Sequence, residues 1–339
     1  MSYGKRKDEH LEICLNEDVT SALTTGLEKY RLVHNALPEI ALEEVSTESR
    51  FLGHGLCAPF LISAMTGGSE PAQEINRRLA TAAQQLGLAM GLGSQRASIE
   101  NPDLTETYQV RDYAPDILLL ANLGAVQLNY GYGAEECRHA VESVQADGLV
   151  LHLNPLQEAL QPEGNTDFRG LLEKIGHVCE TLEYPVLIKE VGWGLSARTA
   201  TLLQKAGVAA LDVSGAGGTS WSRVEQYRSH SSIQAEVAGA FDAWGLPTAE
   251  SLIQVRETCP HLPLVASGGI SDGVQAAMCL ALGANLVGIG RPLLHPARES
   301  TEAVVDRLTV IVRQLRTAMF ATGAATLARL DASRIERRN

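Results

Sequence analysis

Short apolar runs recur along the chain, and most are followed by a stretch with apolar positions at helical spacing. The runs are 59–65, 89–94, 117–122, 149–154, 185–189, 210–214, 263–267 and 286–290. Near-continuous apolar character over so few residues predicts strands covered on both faces, as in a parallel sheet. Helices are predicted over 71–86, 133–146, 167–182, 196–206, 248–258 and 272–282, with a weaker segment over 101–113. Residues 296–321 carry Val304, Val305, Leu308, Ile311, Val312 and Leu315 at helical spacing. Eight such units in series predict an α/β fold, a (β/α)8 TIM barrel with an N-terminal extension, ahead of a doubly wound sheet. An open sheet fits the same pattern, because closure leaves no mark in a sequence.

Residues 1–50 precede the first strand and read as an N-terminal cap on a barrel of about 55–325, the 339 residues forming a single domain. The longest interval between strands, Gly215 to Pro263, is expected to hold a long loop over the rim. No repeat beyond the strand–helix unit stands out.

Hydrophobic residues make up 45%, enough for a large core. A net charge of −12 without a long Lys/Arg run argues against nonspecific nucleic-acid or membrane binding. An anionic ligand therefore needs locally concentrated cations. The six cysteines form no CxxC pair or zinc-like spacing and read as buried free thiols. With no apolar leader and no membrane-length apolar run, the expectation is a soluble, cytoplasmic protein.

In a parallel barrel, chemistry is done where strands end. The fourth run ends in His152-Leu-Asn154-Pro-Leu-Gln157-Glu158, a dense set of polar side chains at a strand-to-helix junction. The seventh ends in Ser267-Gly268-Gly269-Ile270, with Ser271-Asp272-Gly273 at a helix start, and the eighth in Gly290-Arg291. Glycines and a helix N-terminus after the last two strands suit a phosphate; tight turns alone would also want glycine. Lys189 ends an apolar strand, where it is costly unless it meets a negative group. It could form a Schiff base, pair with Glu190 or Asp212, or hold the anionic part of a cofactor ring. Ala64, Met65, Thr66 and Ser94, with Ser214 and Thr219, suit a flat ring over the barrel mouth.

Taken together, Arg6 to His10, Ser63 to Gly68, Gly93 to Arg96, His152 to Glu158, Lys189 to Gly192, Ser214 to Trp221 and Ser267 to Ile270 resemble type 2 isopentenyl diphosphate isomerase. The resemblance runs from near residue 6 to about 294, in the family's order. It implies an FMN-bound barrel interconverting isopentenyl and dimethylallyl diphosphate, with reduced flavin, Mg2+ and NADPH or another reductant. FMN contacts would be Ala64, Met65, Thr66, Ser94, Asn122, Lys189, Ser214, Thr219, Gly268, Gly269, Gly290 and Arg291. Substrate would meet Arg6, Lys7, Ser94, Gln95, Arg96, His152 and Asn154, with Gln157 at the isoprene end and Trp221 covering it. Glu158 would hold Mg2+. A homo-oligomer, tetramer or octamer, is expected.

The chemistry fits these residue types. Gln157 does not titrate near neutrality, so it positions substrate or relays a proton. That leaves reduced FMN as the proton carrier, with the protein orienting it. His152 is the competing acid or base, read as a diphosphate ligand because Asn154 follows on the same strand face. Glu158 alone suits the sparse protein ligation of Mg2+. Arg6 and Arg96 can make bidentate phosphate contacts. In isolation, Arg6-Lys7 would be a solvated terminal pair and Trp221 simple packing; His10 and His139 are read as surface residues. A hydroxy-acid oxidase would want a histidine near the sixth-strand loop, and Ser214–Trp221 contains none. An inosinate-dehydrogenase-like enzyme would want a cysteine after that strand, whereas Cys259 precedes the seventh. A Lys189 aldolase would have no use for Arg6-Lys7, and a flavin-storage protein none for Gln157 and Glu158.

Overall fold

A computed structural model describes residues 3–338. The apolar runs form β1 (Phe60–Ile62), β2 (Ala89–Gly91), β3 (Leu119–Gly124), β4 (Gly148–Leu153), β5 (Val186–Glu190), β6 (Ala210–Asp212), β7 (Leu264–Ala266) and β8 (Leu286–Ile289). Each pairs in parallel with the next, and β8 closes on β1 with Val287 opposite Phe60 and Ile289 opposite Ile62. The sheet is a closed barrel, which settles the question that the pattern left open.

Side chains alternate along each strand. Outward positions such as Phe60, Ile62, Leu149, Leu151, Val287 and Ile289 pack against the surrounding helices. Inward positions Leu61, Ala89, Leu120, Val150, Leu187, Ala210, Val265 and Leu286 form a separate apolar core, one residue from every strand. Both faces are apolar at this level, which is why the runs showed no alternation. Two residues further along each strand, the inward series reads Ser63, Gly91, Asn122, His152, Lys189, Asp212, Ser267 and Gly288. This polar and glycine layer is where barrel interior becomes floor of a site.

The N-terminal segment serves both ends of the barrel. Its hairpin, Ser49–Phe51 with His54–Leu56, sends Phe51 and Leu56 into the inward apolar core and plugs the bottom. Helix Tyr3–Asn16 lies at the opposite end, beside the site. Tyr30–Leu32 pairs antiparallel with Ile335–Arg337, tying the two terminal segments together.

Helices form over Glu70–Leu86, Ala134–Glu142, Leu171–Thr181, Ala197–Lys205, Thr248–Thr258 and Gly273–Ala281, close to expectation. The weak 101–113 segment is two 3-10 turns, Pro102–Tyr108 and Arg111–Tyr113. The segment expected as one helix over 296–321 is broken at Ser300. That residue is extended, and its hydroxyl accepts the Ala303 amide, so it caps Thr301–Thr322 and ends Leu294–Glu299. The expected loop over the rim instead holds two helices, Trp221–Arg228 and Ser232–Gly239, capped by Ser220 and Ser231. Trp221–Arg228 is largely polar and Ser232–Gly239 exposes Ile233 and Val237, so neither shows a clean apolar stripe.

A repeat that the pattern did not reveal lies at the barrel's lower end. Arg111 donates to the carbonyls of Ala114, Pro115, Ile117 and Gln145 and to Asp147, whose carboxylate also accepts the Leu119 amide. Arg256 donates to the carbonyls of Cys259, Pro260, Leu262 and Gly283 and to Asn285 Oδ1, which also accepts the Leu264 amide. The two clamps precede β3 and β7, four strands apart, and serve corresponding acceptors, with one extra bond from Arg111 Nη2 to the Gln145 carbonyl. Each ties the turn before one strand to the turn before the next.

All six cysteines are free thiols. Cys137, Cys259 and Cys279 are buried, but Cys57 is exposed and Cys14 and Cys179 are half-buried, so burial holds for only some of them. Among the described residues, no helix is long and apolar enough to cross a membrane.

Candidate active site

The polar layer floors a cavity of about 660 Å³ at the carboxyl ends of the strands. Asn122, His152, Lys189 and Ser267 reach it from β3, β4, β5 and β7. His152 donates from Nδ1 to Asn122 Oδ1 at 2.8 Å. Burial, then the nearby Lys189 and Lys7, push its imidazole down to about 3. His152 is therefore neutral across the physiological range and is not a general acid without a ligand present.

Beyond β4 the chain turns directly into helix Pro155–Leu160. Asn154, at the junction, donates from Nδ2 to Gln157 Oε1 (3.1 Å) and Glu158 Oε1 (2.9 Å), holding the two side chains side by side. Its own Oδ1 is buried without a partner. The following loop returns over the helix, and the Asn165 amide donates to Glu158 Oε2 at 2.5 Å. Gly164 permits this, because a Cβ there would lie 1.8 Å from the Glu158 carbonyl. Glu158 keeps lone pairs free for a cation. No cluster of three or more His, Cys, Asp or Glu side chains that could hold a metal occurs among the described residues, so a cation at Glu158 would need most of its ligands from other molecules.

The adjoining wall is basic. Helix Tyr3–Asn16 brings Arg6, Lys7, His10, Leu11 and Cys14 to the cavity. Lys7 Nζ donates to the Ser94 carbonyl (2.6 Å) and Tyr108 Oη (2.5 Å), and Tyr108 Oη donates to the same carbonyl at 2.8 Å. Burial, with Arg6 adjacent, pulls the Lys7 amine down to about 7. Arg96 also lines the cavity, bonded to Glu100 and Asn165. Arg6 lies within 3.4 Å of Gln161 Oε1.

His10 is not the surface residue expected. Its side chain is 13% exposed, and Nε2 lies 2.9 Å from Glu225 Oε1. Its ring meets Trp221 edge-on, with centroids 5.3 Å apart. Glu225 also accepts from Gln161 Nε2 and Arg228 Nε. Burial raises the Glu225 carboxyl, but His10 and Arg228 outweigh it and hold it below the usual range. The N-terminal helix is thereby fastened to the rim helix that carries Trp221. Glu225, Gln161 and Asn165 had no signal in the sequence, since the contacts that bring them to the site, His10–Glu225, Gln161–Glu225 and Arg96–Asn165, join distant parts of the chain.

The β6 and β7 loops pack backbone to backbone. A Cβ at Gly268 would meet the Gly215 carbonyl at 2.1 Å, and one at Gly269 the Gly217 carbonyl at 2.4 Å. Both have positive φ, +103° and +74°. These glycines are required by packing between loops as well as by the site that they line. The helix start after β7 is not an open anion site: Asp272 caps the Val274 and Gln275 amides, and Gln314 takes that of Gly273. A phosphate is left with the β8 side, where Gly290, Arg291 and His295 line the cavity. A Cβ at Gly290 would meet nothing closer than Ser63 Cβ at 3.7 Å, so its space is the cavity itself. Arg291 is braced by Thr20 Oγ1 at 2.9 Å.

Of the residues singled out from the sequence, Ala64, Met65, Thr66, Ser94, Ser214, Thr219, Gln157, Glu158 and Trp221 also face this cavity. Gln95 does not. It is fully buried, donating to the Ala140 carbonyl and accepting the Asn122 amide, and so braces β3 from behind.

A basic, glycine-lined cavity at the carboxyl-end mouth of a closed parallel barrel defines a (β/α)8 protein with a site for an anionic ligand. Residues 159–337 match the sequence profile of the FMN-dependent dehydrogenase family. The fold is similar to flavocytochrome b2 (TM-score 0.69, 16% identity, 97% of this chain and 82% of that one). It is also similar to (S)-mandelate dehydrogenase (0.68, 16%, 98% and 99%). Over nearly full length, the chain is 54% identical to isopentenyl-diphosphate delta-isomerase of Synechococcus sp., covering 97% of this chain and 95% of the relative. The corresponding Nostoc sp. protein is 50% identical (97% and 94%), and that of Rickettsia peacockii 48% (95% and 94%). The chain belongs to the isopentenyl-diphosphate delta-isomerase family, in its FMN-dependent type 2 form.

Proposed function

We propose that the protein interconverts isopentenyl and dimethylallyl diphosphate, with reduced FMN in the floor of the cavity and Mg2+ on the diphosphate. The supporting observation is the asymmetry of the walls. Arg6, Lys7 and Arg96 line the cavity, and among the described residues Glu158 is the one carboxylate that lines it, while the adjoining surface offers the neutral amide of Gln157 and an unprotonated His152. This is a place for a polyanion with one cation, beside an apolar tail that meets no strong protein acid.

The residues present fit the flavin. Ala64, Met65 and Thr66 after β1, Ser94 and Asn122, and the glycine-on-glycine loops give a surface on which a flat ring can lie. Lys189 and Ser214 supply polar contacts to it, and Gly268, Gly269, Gly290 and Arg291 serve its phosphate. When bound, reduced FMN supplies a proton donor and acceptor in the cavity; NADPH or another reductant provides its electrons. Gln157, fixed by Asn154, orients the isoprene end, and Trp221 with His10 closes over it. Burial first, and then the Lys189, Lys7 and Arg6 charges, keep His152 neutral; the diphosphate would offset those charges and favour a protonated ring that hydrogen-bonds to it. Glu158 contributes one ligand to Mg2+.

The test is an anaerobic assay with dithionite-reduced FMN, Mg2+ and isopentenyl diphosphate, read for dimethylallyl diphosphate by NMR. Product is expected with reduced and not with oxidised flavin. Absence of product, with oxidation of a 2-hydroxy acid instead, ends this reading.

A further inference from the structure

We propose that Asp212, which lies beneath the cavity and does not line it, is a positioning residue: it holds Ser214 in a strained conformation and so aims Lys189 at the cofactor end of the site. The first arm of the test below is independent of the FMN reading; the second rests on it.

Asp212 is the β6 member of the inward polar layer and is 3% exposed. Two donors converge on its Oδ1, the Ser267 hydroxyl at 2.6 Å and the Ser214 amide at 3.2 Å. One carboxyl oxygen thus ties together the first residues of the two loops that pack glycine on glycine. Its Oδ2 is buried without a partner, so the side chain is not kept there by a full set of bonds of its own.

Ser214 has φ +37°, in the left-handed region that a side-chain-bearing residue rarely adopts. Such a conformation costs about 1–3 kcal/mol and persists only when its surroundings over-determine it. Three bonds do so: the amide to Asp212, the carbonyl accepting the Gly194 amide at 3.1 Å, and the hydroxyl accepting from Lys189 Nζ at 2.8 Å. Lys189 Nζ has one further partner here, the Glu190 carbonyl at 2.5 Å. The chain of contacts runs Asp212, Ser214, Lys189, and only the last two reach the cavity. Burial raises the Asp212 carboxyl and Lys189 opposes that shift, which sets the two groups within electrostatic reach.

The role assigned is that of an acceptor in a fixed place. Asp212→Asn keeps an acceptor oxygen and the volume; Asp212→Ala removes both. In cofactor-free crystals, Asp212→Ala is expected to lose the positive φ at Ser214 and the Lys189–Ser214 bond, and Asp212→Asn to keep them. Asp212→Ala and Ser214→Ala are expected to weaken binding of oxidised flavin about tenfold, and to shift the bound flavin's midpoint potential in the same direction as each other, by the ratio in which the oxidised and reduced forms lose affinity. The double variant should go no further than either, and Asp212→Asn should stay within about twofold of wild type. Should Asp212→Ala fail to fold, Asp212→Ser, whose short side chain ends before the Ser214 amide, takes its place. Retention of the positive φ and the Lys189 bond in the Ala or Ser variant overturns the proposal, as does an Asn variant as impaired as Ala. A wild-type protein that takes no FMN would refute the cofactor reading and leave the crystallographic arm to decide this one.

Discussion

Lys7 and His152 sit in one cavity and are driven the same way by the same causes. Each loses hydration on burial and faces other cations, so each favours its neutral form, at about 7 and about 3. A bound diphosphate reverses the balance at Lys7, because only the protonated amine attracts it. Substrate binding then takes up a proton, and affinity falls as pH rises above 7. The expected result is a KM that climbs between pH 7 and 9 while kcat changes little. Lys7→Arg, which stays charged throughout, should flatten that rise; a flat wild-type profile would refute the placement of Lys7. Along the same cavity, Gln157→Ala should cut turnover by about 100-fold or more with the flavin absorbance intact, since misplaced substrate rather than lost cofactor is the cause. Glu158→Gln should raise the Mg2+ needed for half-maximal rate by about tenfold, read by metal titration.

Residue types were more legible than their surroundings. The run from His152 to Glu158 could be picked out because a strand end is a known place for chemistry, and alternation put His152 inward. Gln95 misled, because its neighbours Ser94 and Arg96 face the cavity while it begins the next turn and points into the helix layer. His10 misled for the opposite reason: an N-terminal charged stretch looks solvated until Glu225, 215 residues further along the chain on a rim helix, comes to meet it.

At the scale of elements, the eight strands could be read because both of their faces are buried, and the rim helices could not because theirs are mixed. The arginine clamps show a further limit. The shared order of Arg111, Pro115, Ile117 and Leu119 with Arg256, Pro260, Leu262 and Leu264 is present in the sequence. It stayed hidden because the interval from each arginine to its second-turn partners, Gln145 and Asp147 or Gly283 and Asn285, differs between the halves. Only the geometry shows the same carbonyls being served. A charged donor that satisfies several turn carbonyls leaves all of them unpaired when removed. Arg256→Ala should therefore destabilise the fold by about 2–4 kcal/mol, with Arg256→Lys recovering little, because an ammonium cannot span the same set of acceptors. Urea unfolding followed by circular dichroism measures both, and a loss under about 0.5 kcal/mol would show that the clamp is dispensable.

The whole molecule carries −12, yet the site gathers cations for a polyanion. These facts act over different distances. The Debye length falls from about 30 Å at 0.01 M salt to about 8 Å at 0.15 M, so added salt first screens the long-range repulsion between an acidic protein and a diphosphate. The contacts of Arg6, Lys7 and Arg96 operate at hydrogen-bond range within a partly desolvated cavity, where screening is weak. For an enzyme with a basic exterior, salt would remove steering and slow capture of an anion. Here it should do the reverse: kcat/KM measured between 10 and 150 mM NaCl, at fixed free Mg2+, should hold steady or rise. A steep fall over that range would mean that the cationic wall acts at a distance through open solvent. That would contradict a cavity wall to which the N-terminal helix delivers its charges at hydrogen-bond range of the ligand.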